Sequence, residues 1–231
     1  MKNSIIIFKK QIKDTGKNIA LLIQFVMFPL MAVIMENAIQ LDNMPEHFFA
    51  GLFAVMHIGM APLNVTTAII SEEKEKNTLR MLLFANIKPT EYLLGIGGYV
   101  FSACMVGTVA FDILNGYHGK EFILFLLIMA AGIVVSMLLG ALIGIWSKSQ
   151  IAATTISTPV MMVFAFLPMI AMFNSTIAKV ANIAYSQHIQ ILLNSVGTGT
   201  TPEPKNLIVI AVSMLIVAGG FIFAYRKCGL C

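Results

Sequence analysis

Residues 121–146 read EFILFLLIMAAGIVVSMLLGALIGIW, and after Glu121 the run carries no formal charge through Trp146. A helix of about 20 apolar residues crosses the hydrocarbon core of a bilayer, so this stretch is long enough to span. It is continuous rather than alternating, which is the pattern of a helix and not of a barrel strand of about ten residues. Five more runs of the same kind lie near 18–38, 48–71, 92–113, 152–173 and 206–225. The fold class that follows is all-α, a polytopic membrane protein with six transmembrane helices. Composition agrees: 58% of the 231 residues are apolar and 11% charged, against about 45–50% and about 25% in soluble domains. A mean hydropathy of +0.86 excludes a soluble protein, and the loops leave no room for a soluble catalytic domain. Residues 1–231 are therefore read as one transmembrane domain.

Charge placement orients the spans. The formal charge of +4 would suit nucleic acid, but no basic stripe with interleaved aromatics stands clear of the apolar runs, so no nucleic-acid partner is expected. With the N-terminus inside, Lys2, Lys9, Lys10, Lys13, Lys17, Lys74, Lys76, Arg80, Lys88, Lys148, Arg226 and Lys227 fall on inner segments; only Lys120, Lys179 and Lys205 fall outside. The positive-inside rule then puts both termini in the cytoplasm. Residues 1–17 place Ile5, Phe8 and Ile12 at helical spacing among lysines, the pattern of a helix lying in the interface. The first apolar run is too long for a signal-peptide core and lacks a small-x-small site after it. Residues 174–200 form an outer segment with a second apolar patch, Ile177 to Val196, expected as short re-entrant helices. Cys104, Cys228 and Cys231 provide no disulfide framework, and two ligands make no zinc site, so no metal is expected.

The densest polar cluster is Ser71-Glu72-Glu73-Lys74-Glu75-Lys76-Asn77-Thr78-Leu79-Arg80, between spans two and three. Glu72 and Lys76 are four apart, as are Lys76 and Arg80, while Leu79, Leu82, Leu83 and Ile87 repeat at helical spacing. Read blandly, this is a solvated loop with helix ion pairs. Read functionally, it is an amphipathic helix over 72–88 that seats in a partner's groove, and Pro89 ends it.

The run from Ile70 to Leu83, followed by Ile87-Lys88-Pro89-Thr90-Glu91-Tyr92-Leu93-Leu94-Gly95, resembles the signature of ABC-2-type transporter permeases, the membrane subunits of type V bacterial ABC exporters. The family pattern falls on Glu73, Lys74, Glu75, Lys76, Asn77, Thr78, Leu79, Leu82, Leu83, Pro89 and Gly95, with Asn77 standing where glycine is usual. The resemblance implies a half-channel in a bacterial plasma membrane. It pairs with a second permease chain, the same or homologous, and with cytoplasmic ABC ATPase subunits. On this reading 72–88 is the coupling helix, and Glu73, Glu75, Thr78, Leu79, Arg80, Leu82 and Leu83 contact the ATPase. No G-x-x-x-x-G-K-[ST] loop occurs in the chain, so ATP and Mg²⁺ are expected in the partner, with no cofactor and no catalytic residue here.

Polar residues inside spans are costly and mark function by default. Gln24, His57, Asn64 and Asp112 are of this kind, each also able simply to bond a neighbouring helix. His57 and Asn64, with Met161, Met162 and Phe166 of span five, are the candidates for a substrate path, where methionine gives an adaptable apolar lining; core filling is the more frequent explanation of such a stripe. Gly140-x-x-x-Gly144, extended by Ser136 and Gly132, predicts a close helix crossing. The expected cargo is an amphipathic or antimicrobial peptide, with multidrug or lipid efflux as the alternative. An intramembrane protease is also conceivable from Phe53-x-x-x-His57 and Glu72-Glu73, but Asn77 stands where that motif requires Arg, and no second histidine lies within a span. A scaffold or immunity protein would have no use for the coupling helix.

Overall fold

The computed structural model describes residues 2–39, 47–78, 81–82, 87–200 and 203–227. Among them every regular element is helical: α1 (Lys2–Thr15), α2 (Ile19–Ala38), α3 (Phe48–Glu75), α4 (Pro89–Asn115), α5 (Lys120–Trp146), α6 (Gln150–Phe173), α7 (Ser175–Ala181), α8 (Tyr185–Gly197) and α9 (Pro204–Lys227). Helices α2 to α6 and α9 are long and apolar enough to cross a membrane, matching the six expected runs to within a few residues at either end. The largest difference is at α3, expected to stop at Ser71 and in fact helical through Glu75. Its extra turn is charged, and neighbouring helices take up those charges, as described below.

Helix α3 is the most buried of the spans and packs against α2, α4, α5, α6 and α8. Glycines set the closest approaches. A Cβ on Gly140 of α5 would stand 2.3 Å from Leu63 O, and one on Gly59 of α3 would stand 2.8 Å from Ala165 N of α6. Side chains of any size would push these pairs of helices apart. The stripe Gly132, Ser136, Gly140 and Gly144 meets α3 along its length, at Ile58, Leu63 and Ile70. Thr67 locks the same contact, sharing its hydroxyl hydrogen between Leu63 O at 2.8 Å and Gly140 O at 3.1 Å.

Pro62 lies inside α3 and, having no N–H, leaves the carbonyl of Ile58 without its helical donor. Ser136 Oγ of α5 donates to that oxygen at 2.6 Å, and the Tyr185 hydroxyl of α8 stands 2.6 Å from the same Oγ. Since Ser136 gives its proton to the carbonyl, Tyr185 donates to Ser136. A three-helix chain of hydrogen bonds thus repairs the proline site.

Segment 174–200 forms α7 and α8. Asn174 opens α7 by accepting from Thr176 N at 2.9 Å and Ile177 N at 3.2 Å, the role of an N-cap. Helix α8 buries Tyr185, Ile189, Leu192, Leu193 and Val196. His188 ties it to α9 through Asn206 Oδ1 at 2.7 Å.

Candidate functional site

Helix α1 docks on the bundle by a face other than the one its spacing predicts. Ile5 and Ile12 are 54% and 51% exposed, whereas Ile7, Gln11 and Thr15, spaced four apart, are buried. The buried stripe leans on α4: a Cβ on Gly95 would lie 2.7 Å from Ile7 Cβ and 2.9 Å from Ser4 O. The signature's glycine is therefore the place where α1 crosses. Asn3 Nδ2 donates to Glu91 Oε2 at 2.8 Å, and the same carboxylate oxygen accepts from Lys88 N at 3.3 Å, closing the first turn of α4 beside Pro89 at its start.

Three consecutive charged residues at the end of α3 each bind a different helix. Glu73 is only 7% exposed; its Oε1 accepts from Lys10 Nζ at 2.5 Å and from Gln11 Nε2 at 2.9 Å, both on α1. Lys74 Nζ donates to the Ile145 carbonyl and, at 2.9 Å, to Ser147 O, putting a cation on the carbonyls that end α5. Glu75 Oε2 accepts from Gln150 N at 2.6 Å, putting an anion at the start of α6. Ser149 Oγ caps that same helix start by accepting from Ala152 N at 3.2 Å. Next along the chain Lys76 and Glu72 pair at 2.5 Å on the surface, and this hydrogen bond, with the charge of Glu72, holds the Lys76 ammonium above the ordinary lysine value.

The continuous helix expected over 72–88 is interrupted. Asn77 has φ +55°, a left-handed conformation that closes helices and favours glycine, with asparagine next. This explains the glycine of the resembling family and why asparagine fits there. Residues 72–75 are the last turn of α3, and beyond the turn Thr78, Met81 and Leu82 have helical backbone. Leu79, Arg80 and Leu83 lie outside the described residues, as do Cys228 and Cys231. Of the predicted ATPase-contact set, Thr78 and Leu82 are half-buried, Glu73 is turned inward onto α1, and Glu75 is exposed but engaged by α6. A cleft of about 730 Å³ opens between α1, the start of α2 and the end of α3, lined by Lys10, Gln11, Lys17, Glu72, Lys76 and Thr78 among others.

The substrate-path candidates separate into two places. His57 is fully enclosed between α2, α3 and α4: its Nε2 lies 3.3 Å from Cys104 O, and the rings of Phe28 and Phe111 flank it. No open surface reaches it, and its packing fills the space that Gly107 leaves. Asn64 joins three spans, donating to Gln24 Oε1 at 3.0 Å and accepting from Ser157 Oγ at 3.5 Å. Met162 and Phe166 of α6 are 49% and 38% exposed, and Met161 is half-buried beside them.

Composition and spacing did not reveal the α1 clamp, made by Asn3, Lys10 and Gln11. Its one signal was Gln11 four residues after Ile7, a polar group on the stripe that packs inward. Among the described residues no group of three or more His, Cys, Asp or Glu is placed to hold a metal.

No match is found among curated proteins. The family model described as ABC-2 family transporter protein matches residues 2–225, and so includes α1, all six spans and the signature that clamps them. The chain belongs to the ABC-2 transporter family and is a multi-pass membrane subunit of an ABC transporter.

Proposed function

We propose that the chain is one half of the translocation pathway of an ATP-driven exporter in a bacterial plasma membrane, with both termini cytoplasmic. It pairs with a second permease chain, the same or homologous, and with cytoplasmic ABC ATPase subunits that hold ATP and Mg²⁺. The observation that carries this reading is the run Glu73-Lys74-Glu75, which ties α1, α5 and α6 to the end of α3 immediately before the turn at Asn77. Residues 76–88 form the coupling segment, seated on the ATPase through Thr78, Leu79, Arg80, Leu82 and Leu83. Glu73, Lys74 and Glu75 act one step behind that contact, as the links that pass its displacement to α1, α5 and α6. A displacement transmitted through fixed ion pairs and helix caps moves helices as units, which is what alternating access requires.

The cargo on this reading is an amphipathic peptide that passes along the apolar side of α6, where Met161, Met162 and Phe166 give a lining able to adapt to varied side chains. Asn64 supplies a polar point on the same side, and His57 serves packing. The experiment is co-purification in mild detergent with mass-spectrometric identification and an ATP hydrolysis assay. An ABC ATPase in near-equal amount is the expected result, lost in Leu82→Asp while membrane insertion persists. An ATPase retained undiminished by Leu82→Asp would refute the coupling segment.

A further inference from the structure

The end of the bundle opposite α1 holds a second cavity of about 320 Å³, between the start of α3, the ends of α4 and α6, and α8. Phe48, Leu52, Phe125 and Leu193 form an apolar wall and Asn115, Gln190 and His47 a polar one, and among the described residues no Asp, Glu, Lys or Arg lines it. Gln190 is 4% exposed; among the described residues its Nε2 reaches only the Met172 sulfur, at 3.7 Å, and its Oε1 has no hydrogen-bond partner. Asn115, 7% exposed, donates through Nδ2 to Phe111 O at 2.7 Å. A buried carboxamide oxygen without a donor is a destabilising feature, retained where something else supplies the donor.

We propose that this cavity is a binding site for an uncharged, apolar segment of peptide. The peptide's backbone N–H meets Gln190 Oε1, and its side chains lie against Phe48, Leu52, Phe125 and Leu193. The chemistry selects this class. A carboxamide offers the same donor and acceptor in one plane as a peptide bond, so Gln190 and Asn115 match a backbone as they would a neighbouring strand. His47, the one lining side chain among the described residues that can carry a positive charge, already faces Glu36 Oε1 at 3.7 Å, which leaves no free Lys or Arg to neutralise a phosphate or carboxylate buried there. The volume lies at the small end of ligand pockets, about 300–1,000 Å³, which suits a short segment of a longer chain. The assignment rests on the peptide-exporter reading and adds to it a docking point at the end remote from the ATPase.

The test uses the full chain in lipid nanodiscs with Thr198→Cys, an exposed residue at the cavity's rim, labelled by a charged maleimide. Labelling of the unsubstituted chain is subtracted. The probe is acetyl-Leu-Ala-Leu-amide, which has no charge. The expected result is labelling slowed several-fold by the probe, with the protection lost when Gln190→Leu is added. That second change removes the orphaned oxygen and keeps the fold. No protection up to the probe's solubility, or equal protection with Gln190→Leu, would overturn the site. Protection by dioctanoylglycerol but not by the peptide would also overturn it, in favour of lipid. ATPase co-purification from the same preparations separates the two readings: ATPase bound without protection refutes this site alone, and protection without ATPase refutes the exporter alone.

Discussion

Replacing Glu73 by leucine removes the acceptor that fastens α1 to α3, and the structure sets the size of the effect. Gln11, 3% exposed, bonds Glu73 at 2.9 Å, its one side-chain partner among the described residues. A buried hydrogen bond to a charged group is worth about 1.5–3 kcal/mol. Lys10 is different: its side chain is 38% exposed and stands 3.9 Å from Asp14, so it turns to water and Asp14, and screening leaves its share below about 1 kcal/mol. The total loss is about 2–4 kcal/mol, or a fall in Tm of roughly 5–15 °C for a chain of this length. The assay is thermal challenge of the detergent-purified chain followed by size-exclusion chromatography. Glu72→Leu, which removes the surface partner of Lys76, is the control and should move Tm far less. Gln11→Leu combined with Glu73→Leu should recover most of the loss, because two apolar groups replace a polar pair. The reasoning fails if Glu73→Leu behaves like Glu72→Leu, or if the double substitution is no more stable than the single one.

Two other outcomes follow from local geometry. Asn77→Gly should match or exceed the unsubstituted chain in Tm, whereas Asn77→Val should cost about 1–2 kcal/mol, because a branched side chain resists the left-handed backbone. Ser136→Ala should lower stability by about 1–3 kcal/mol, leaving both the Ile58 carbonyl beside Pro62 and the Tyr185 hydroxyl unsatisfied; adding Tyr185→Phe should then cost little more, and a full second loss in that double variant would show the chain of bonds to be wrongly drawn.

The spans were legible because an uninterrupted apolar run of membrane length has one structural solution. The stripe from Gly132 to Gly144 was legible too, since small residues at helical spacing mark close approach, though not the helix approached. The turn at Asn77 was not read: charges and leucines at helical spacing made 72–88 look like one helix, and the left-handed backbone at Asn77 divides it. What escaped was pairing across distance. The charged turn at 72–75 looks like solvent-exposed sequence, and only Lys10, the Ile145 carbonyl and Gln150 N, brought in from three other helices, make it part of the bundle. The face by which α1 meets the bundle was not read for a related reason: the spacing of Ile5, Phe8 and Ile12 marks an interfacial face, whereas the buried stripe of Ile7, Gln11 and Thr15 carries polar groups that only packing reveals. His57 was weighed as a path residue because polarity in a span signals function; the structure packs it fully, with Nε2 3.3 Å from Cys104 O and Nδ1 without a partner among the described residues.

The clamp on α1 also bears on how the chain is made. Its partners, Glu73, Glu91 and Gly95, lie more than sixty residues downstream, and synthesis proceeds from the N-terminus. Helix α1 therefore leaves the ribosome before any partner of its clamp: Glu73 follows with the end of α3, and Glu91 and Gly95 only with the start of α4. During that interval its exposed isoleucines can hold it to the membrane surface. Locking α1 then closes the first half of the bundle in one step, and a chain that stalls before Gly95 is left with an unfastened arm that quality-control proteases can seize.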